Sequence, residues 1–234
     1  MGRMNTPHRR RFTRWPRITN ATPALHRSAG VSFGRPHTRG SSLAAVLAAA
    51  LGATGPAAAA PQTYTLDPAH SWVQFELLHF GTSTIRGRIG PVQGQVTLDP
   101  AAGTGELGLR VPTATLSTGI PFFDARIRQD DLLATTAWPE AFFVASRFRF
   151  DGASLAEVRG EFTLRGVSQP LSLRATHYSC RVPGPHEPNP DGAREVCGGD
   201  FEAEFRRSEF GITFALPFVG DRVRLLVQVE GRRR

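Results

Sequence analysis

The side chains that could carry chemistry are few and widely spaced along this sequence. Four histidines follow residue 60: His70, His79, His177 and His186. No two of them have the close spacing of a metal-binding pair. Gly81-Thr82-Ser83-Thr84 lacks the lysine and the length of a phosphate-binding loop, and residues 61–234 contain no Gly-x-Ser-x-Gly nucleophile turn. These patterns predict a protein that is not an enzyme and that has neither a metal site nor a catalytic cofactor.

Cys180 and Cys197 are the two cysteines of the chain, and they bracket a stretch rich in proline and glycine. That composition is typical of a loop. An even cysteine count in an exported protein favours a disulfide, and closing a loop of this size stabilises a fold by about 3 kcal/mol in the chain-entropy model. A redox pair, or a metal site that includes His177 or His186, is the alternative.

Residues 39–60 have the pattern of a secretory signal peptide. Arg39 precedes an apolar run at 43–51, which is too short to span a bilayer, and small residues follow it. We therefore expect cleavage near Ala59 and a periplasmic protein. Residues 1–38 are interpreted as a basic, disordered extension or a misassigned start. A twin-arginine signal and a retained helical anchor are further alternatives.

The positive charge of the chain is concentrated in this leader. The formal net charge is +8, but nine of the 28 arginines precede residue 61, where there is no acid. The other nineteen arginines stand against all twenty acids, so the remainder of the chain is close to neutral. A nucleic-acid-binding domain carries its basic charge on a folded face. The sequence therefore predicts no nucleic-acid partner for residues 61–234.

After residue 61, apolar and polar residues alternate with the period of a half-buried β-strand. The alternation predicts eight strands, around residues 73–77, 92–98, 107–111, 142–150, 158–164, 171–175, 201–205 and 223–229. Residues 121–133 interrupt the pattern and predict one short helix, because Phe123 and Ile127 are four apart and Pro121 suits a first helical turn. An all-β domain of this kind closes as a barrel or as a sandwich.

A set of short motifs resembles, in its order, the YceI-like polyisoprenoid-binding family over about residues 63–230. The motifs are Asp67-Pro68-Ala69-His70-Ser71, His79-Phe80-Gly81, Trp138-Pro139-Glu140-Ala141-Phe142, residues 158–167 and Arg207-Ser208-Glu209-Phe210-Gly211-Ile212. The resemblance implies an extended, lipocalin-like, eight-stranded antiparallel barrel with a tunnel for a long isoprenoid. The chain departs from the family at residues 123–128 and in its cysteine-bracketed loop.

The resemblance also implies that inward-facing apolar side chains line the tunnel. The residues assigned to it are Val73, Phe75, Leu77, Phe142, Phe148, Phe162, Leu164, Leu173 and Phe205. His79, His177 and Arg207 fall on the apolar parity at or near strand ends and are assigned to a rim around a lipid head group. Ser146 falls on that parity in mid-strand. Each could instead be a core or edge residue with its hydrogen bonds satisfied.

The charged residues on and after the helix, at 124–131, could form a polar site or a solvated helix face.

The predicted function is that of an exported lipid-binding protein that holds a quinone or other prenyl lipid, or a similar amphiphile. A membrane protein that donates or accepts the lipid is a candidate partner, and the oligomeric state is open, a dimer included. The alternative is an interaction module whose barrel is filled by its own side chains and which acts through its surface or the Cys180–Cys197 loop.

Overall fold

The computed structural model describes residues 60–234, and the predictions for residues 1–59 lie outside the described residues. The described part forms ten β-strands and one α-helix. They are β1 Gln62–Leu66, β2 Trp72–His79, β3 Ser83–Ile89, β4 Gln93–Asp99, β5 Thr104–Pro112, α1 Pro121–Ile127, β6 Glu140–Asp151, β7 Ser154–Leu164, β8 Val167–Arg181, β9 Glu195–Arg206 and β10 Arg222–Arg233. Short 3₁₀ turns lie at Pro68–His70, Thr113–Thr115 and Arg207–Phe210.

Eight strands close into an antiparallel barrel in the order β1-β4-β5-β6-β7-β8-β9-β10. The ring closes where Leu66 of β1 lies opposite Gly231 of β10. β2 pairs with the same edge of β10 further along, with Val73 opposite Val227, and β3 pairs with β2. The structure therefore confirms the predicted eight-stranded barrel over a sandwich. The hairpin of β2 and β3 extends the sheet beyond the ring.

The eight predicted strands correspond to β2 and β4 to β10, whereas β1 and β3 were not among them. β3 has a weak apolar signal because its middle residue on the inner face is Gly87. A Cβ atom at Gly87 would lie 2.5 Å from Cζ of Phe75, so the glycine leaves the space that this ring occupies. The space over Gly87 on the inner face of β3 is thus filled by the ring of Phe75 from β2.

α1 is shorter than the predicted helix at residues 121–133. The carbonyl of Ile127 accepts a hydrogen bond from the N–H of Leu133 at 2.9 Å, and the carbonyl of Arg128 accepts one from Thr135 at 3.1 Å. Ala134 has a φ of 48°, so the chain turns back on itself. The residues after Ile127 therefore form turns that fold against the end of the helix.

The assignment of Phe142 to the interior is wrong because β6 contains a bulge. The register of β6 against β7 shifts between Ala145 and Arg147, which changes the parity that faces inward. Before the shift Phe143 is 5% exposed and faces the core, while Phe142 is 42% exposed on the outer face. After the shift the inward parity includes Phe148, as the sequence predicts. Ser146 is the residue at the bulge.

A bulge in β8 corrects the predicted position of His177. The register of β8 against β9 shifts between Ala175 and His177. Ala175 is half-buried and packs against the core, but His177 is exposed. The inward parity resumes at Tyr178, which is half-buried. His177 therefore does not belong to the rim of the barrel interior.

Candidate functional site

The barrel interior contains a cavity of about 400 Å³, called the main cavity below. Its wall is apolar except for His79, Thr113, Arg126 and Arg207. The wall combines side chains from the barrel strands with side chains from α1 and from the segment between β9 and β10. An apolar cavity with a few polar groups is the usual form of a site for an apolar ligand.

Most of the predicted tunnel residues line the main cavity. These are Val73, Phe75, Leu77, Phe162, Leu164, Leu173 and Phe205. Phe148 instead lines a second cavity of about 60 Å³, called the lower cavity below. Phe142 lines neither cavity, because it lies on the outer face. The structure thus locates these side chains, and ligand contact by them stays a prediction.

Several residues of the main cavity were not predicted as site residues. Phe143 was missed because of the bulge in β6, and Phe123 and Phe214 were missed because they lie outside strands. Val111 and Leu225 also line the cavity, and both stand on the apolar parity of predicted strands. Their parity was therefore a signal that could have assigned them to the interior.

Four exposed phenylalanines line the main cavity or adjoin residues that line it: Phe80, Phe122, Phe214 and Phe218. We call this set the phenylalanine rim. Phe122 is 74% exposed, and the rings of Phe80 and Phe218 stack with their centres 6.1 Å apart. Phe122 and Phe214 also line the cavity, so the rim marks the mouth of the barrel. An exposed apolar patch of this kind is typical of a surface that meets an apolar partner or ligand.

His79 ends β2 at this mouth and lines the main cavity, as predicted for a rim residue. Its ring meets the ring of Phe80 edge-on, with the centres 4.6 Å apart. Its backbone forms an isolated β-bridge with Val219. The imidazole is therefore a polar group next to aromatic rings at the entrance.

Arg207 also lines the main cavity, but its guanidinium is engaged by the protein itself. The residue is 4% exposed and donates hydrogen bonds of 2.8–3.0 Å to the carbonyls of Ile212, Val219 and Gly220. Burial lowers the pKa of Arg207, and the charge of Asp221 opposes this in part. Its geometry is that of a residue that positions the segment between β9 and β10.

The charged residues around α1 form structural contacts rather than one shared site. The carboxylate of Asp124 accepts hydrogen bonds from the N–H and hydroxyl of Thr118, at 2.6 and 2.7 Å, which lower its pKa. Arg126 forms a bidentate ion pair with Asp131 at 2.7 Å, and its guanidinium lies 4.2 Å from the centre of the Phe214 ring. Of these groups, Arg126 lines the cavity mouth.

Cys180 and Cys197 form a disulfide, which confirms the predicted pairing. They lie directly opposite each other in the β8–β9 ladder, at the base of the loop that they bracket. Cys197 lines the lower cavity and does not line the main cavity. The disulfide therefore fastens the end of the barrel that lies away from the phenylalanine rim.

Within residues 60–234, one group of side chains brings three possible metal ligands together. Donor atoms of Asp67, His70 and Glu230 lie within 4.8 Å of one another. Nδ1 of His70 is 2.9 Å from the carboxylate of Asp67 and 3.9 Å from that of Glu230. The hydrogen bond with Asp67 already engages this nitrogen, so the group is better described as a polar corner between β1 and β2.

No helix of the described residues has the length and hydrophobicity needed to cross a membrane.

Comparison with known proteins places this site in a family. The sequence profile of the YceI-like domain matches residues 64–231, and the chain belongs to that family. It is similar to Protein YceI of Shigella flexneri, with 29% identity over 180 residues that cover 76% of this chain and 89% of that protein. A UPF0312 protein of Pseudomonas savastanoi pv. phaseolicola is 34% identical over 137 residues, which are 58% of this chain and 71% of the relative.

Two solved structures share the fold. BcnA of Burkholderia cenocepacia superposes with a TM-score of 0.57 at 19% identity and covers 70% of this chain and 98% of its own. The YCEI protein of Campylobacter jejuni superposes with a TM-score of 0.52 at 21% identity and covers 67% and 90%. At these sequence identities the similarity shows a shared barrel fold and nothing further.

Proposed function

We propose that this protein is a non-enzymatic lipid-binding protein that holds the tail of an isoprenoid, or of a similar amphiphile, inside its barrel. The main cavity carries this proposal, because about 400 Å³ of apolar space lies within the ring of strands. Burial of each methylene group contributes about 0.8 kcal/mol, so an apolar tail needs few polar contacts to bind well. The same cavity counts against the alternative of a barrel filled by its own side chains.

The mouth of the cavity supports an amphiphile rather than a pure hydrocarbon as the ligand. The phenylalanine rim offers apolar contact at the entrance, and His79 and Arg126 supply polar groups beside it. A tail that enters the barrel would leave its head group at this level. A quinone ring or the head group of another prenyl lipid fits an environment of this kind, which combines aromatic and polar side chains.

Export to the periplasm is part of the proposal. Residues 39–60 have the pattern of a signal peptide, and the Cys180–Cys197 disulfide suits an oxidising compartment. An exported carrier must receive its lipid from a membrane and deliver it to a recipient. A membrane protein that donates or accepts the lipid is therefore the proposed partner.

The proposal is tested by filling the main cavity. Ala141 lines the cavity on β6, and the Ala141→Phe variant inserts a phenyl ring that needs about 150 Å³. We expect the affinity for a fluorescent naphthylamine probe and for prenyl alcohols to fall at least about tenfold, since more than a third of the space is lost. The control is Val144→Phe on the outer face of the same strand, which should bind as the parent protein does.

Two results would contradict the proposed function. One is a protein purified from the periplasm that takes up neither the probe nor prenyl alcohols nor quinones. The other is equal binding by Ala141→Phe, Val144→Phe and the parent protein, which would locate binding outside the main cavity.

A further inference from the structure

We infer that the main cavity limits the enclosed part of the ligand to about sixteen carbons, so that the preferred ligand is a single-tailed amphiphile with about three isoprene units or a similar acyl chain. This inference rests on the proposed function and narrows its ligand class. It follows from the cavity volume, from a partition of three side chains inside the barrel and from the small volume of the space beyond that partition.

The volume sets the length. A protein cavity of about 150 Å³ binds benzene, which corresponds to about 25 Å³ for each carbon. At that density the main cavity of about 400 Å³ accommodates about sixteen carbons. A longer tail would leave its remaining carbons outside the barrel, beside the phenylalanine rim, where they lose less contact with water.

The floor of the main cavity is formed by Leu109, Leu173 and Val227. These three residues line both the main and the lower cavity, so their side chains separate the two spaces. They come from β5, β8 and β10, which are spread around the ring, and all three are buried. A tail that enters at the mouth therefore ends against this partition.

The far end of the barrel, below the partition, holds little space, because the lower cavity has a volume of about 60 Å³. Tyr64 and Cys197 line the lower cavity and are buried. The hydroxyl of Tyr64 donates a hydrogen bond of 2.6 Å to Glu195, which also accepts one from Arg233 at 3.1 Å. This end thus combines buried side chains with polar contacts, and the partition sets the depth that the tail can reach.

The inference is tested with the parent protein and a series of straight-chain alcohols from about eight to about twenty-four carbons, measured by displacement of a naphthylamine probe. Affinity should rise about fourfold with each added carbon while the carbon is buried, and level off at about sixteen. A steady rise beyond about twenty carbons would overturn the length limit and leave the carrier function intact. If no alcohol displaces a bound probe, the proposed function itself fails.

Variants move the limit in opposite directions. Leu173→Ala opens the partition and adds the lower cavity of about 60 Å³ and the vacated leucine space, which together hold about five more carbons. Ala141→Leu, which fills the main cavity from the side, should shorten the limit by about three carbons.

The matched control is Leu155→Ala. Leu155 is as buried as Leu173 and lines the lower cavity alone, so its truncation leaves the partition in place. We expect the length limit of Leu155→Ala to equal that of the parent protein. Equal shifts for Leu155→Ala and Leu173→Ala would refute the partition, and an unchanged limit in Ala141→Leu would refute the link between volume and length.

Discussion

The guanidinium of Arg207 donates a hydrogen bond of 2.8 Å to the carbonyl of Val219, and Val219 in turn forms a β-bridge with His79. A buried side chain that follows β9 is thereby connected to the end of β2 across the mouth of the barrel. The two further bonds of Arg207, to Ile212 and Gly220, hold both ends of the same segment. One wall of the cavity mouth thus depends on a single planar cation.

We predict that Arg207→Lys destabilises the protein by about 3 kcal/mol. An ammonium cannot reproduce the planar fork, and each buried carbonyl left without a partner costs about 1–3 kcal/mol. Urea unfolding measures the loss, and hydrogen exchange should increase first in residues 212–220. Arg206→Lys is the control, because the exposed Arg206 makes one ion pair at 4.0 Å and should change the stability by less than about 0.5 kcal/mol. Equal losses in the two variants would contradict the role of Arg207.

The disulfide should contribute stability without affecting the main cavity. Cys180 and Cys197 are 17 residues apart, and a loop of that length gives about 3 kcal/mol in the chain-entropy model. We expect the double variant Cys180→Ala/Cys197→Ala to unfold at lower urea concentration by this amount. Its affinity for an apolar probe should match that of the parent protein, since Cys197 lines the lower cavity. A large loss of binding in the folded variant would show that the two ends of the barrel are coupled.

The corner between β1 and β2 should make stability depend on pH. The hydrogen bond with Asp67 raises the pKa of His70. Protonated His70 therefore contributes to the stability of the fold. This contribution is complete below the ordinary histidine pKa of about 6.5 and is lost as the pH rises through the raised pKa. At Asp67, partial burial raises the pKa, but hydrogen bonds from His70 and Ala69 outweigh it, so that the pKa of this carboxyl lies below its usual value. The stability that Asp67 contributes is therefore lost only as the pH falls below about 4.

The pair therefore stabilises the fold most between about pH 4 and 6.5. We predict that His70→Gln lowers the free energy of unfolding more at about pH 5.5 than at about pH 8.5. The difference should stay below about 1 kcal/mol, because His70 is largely exposed and water screens the pair. His177→Gln, on the outer face, is the control. A larger effect of His70→Gln at the higher pH would contradict the prediction.

The all-β class was predictable because the strands keep one apolar parity over long stretches. Phe162 and Leu164 on β7, for example, face the interior, as their alternation indicates. Eight such strands have to share one interior, a requirement that both a barrel and a sandwich meet, and the resemblance to the YceI-like family favoured the barrel. The seam of the ring was not predictable, because β1 and β2 both pair with one edge of β10 and only long-range pairing decides where each lies.

The mouth of the cavity was less accessible to sequence reasoning. Phe122 and Phe214 stand in segments without strand periodicity, so no parity assigns them to a face. Their positions depend on contacts between distant residues, such as the hydrogen bond from Arg128 to the carbonyl of Ala114. A local pattern does not encode a contact of that kind. The polar residue Ser146 in an apolar parity was a local signal of the bulge in β6, and it was interpreted as a polar inward residue instead.

The bulge leads to a prediction that separates two adjacent phenylalanines. Phe143 is 5% exposed and lines the main cavity, whereas Phe142 is 42% exposed on the outer face. Phe143→Ala should lower the free energy of unfolding by about 3–5 kcal/mol, as expected for a buried phenylalanine. It should also weaken the binding of apolar tails or raise the limit on their length. Phe142→Ala should cost less than about 1 kcal/mol, because a partly exposed ring loses little burial.

Urea unfolding of both variants at one pH, together with the alcohol series, gives the comparison. Because the two residues are neighbours of the same type in one strand, differences in propensity and in the unfolded chain cancel almost entirely. A larger loss for Phe142→Ala would mean that β6 keeps a single parity from residue 142 to residue 150 and has no bulge at Ser146. In that case the main cavity would have a different wall on this strand, and the length limit derived from its volume would have to be revised with it.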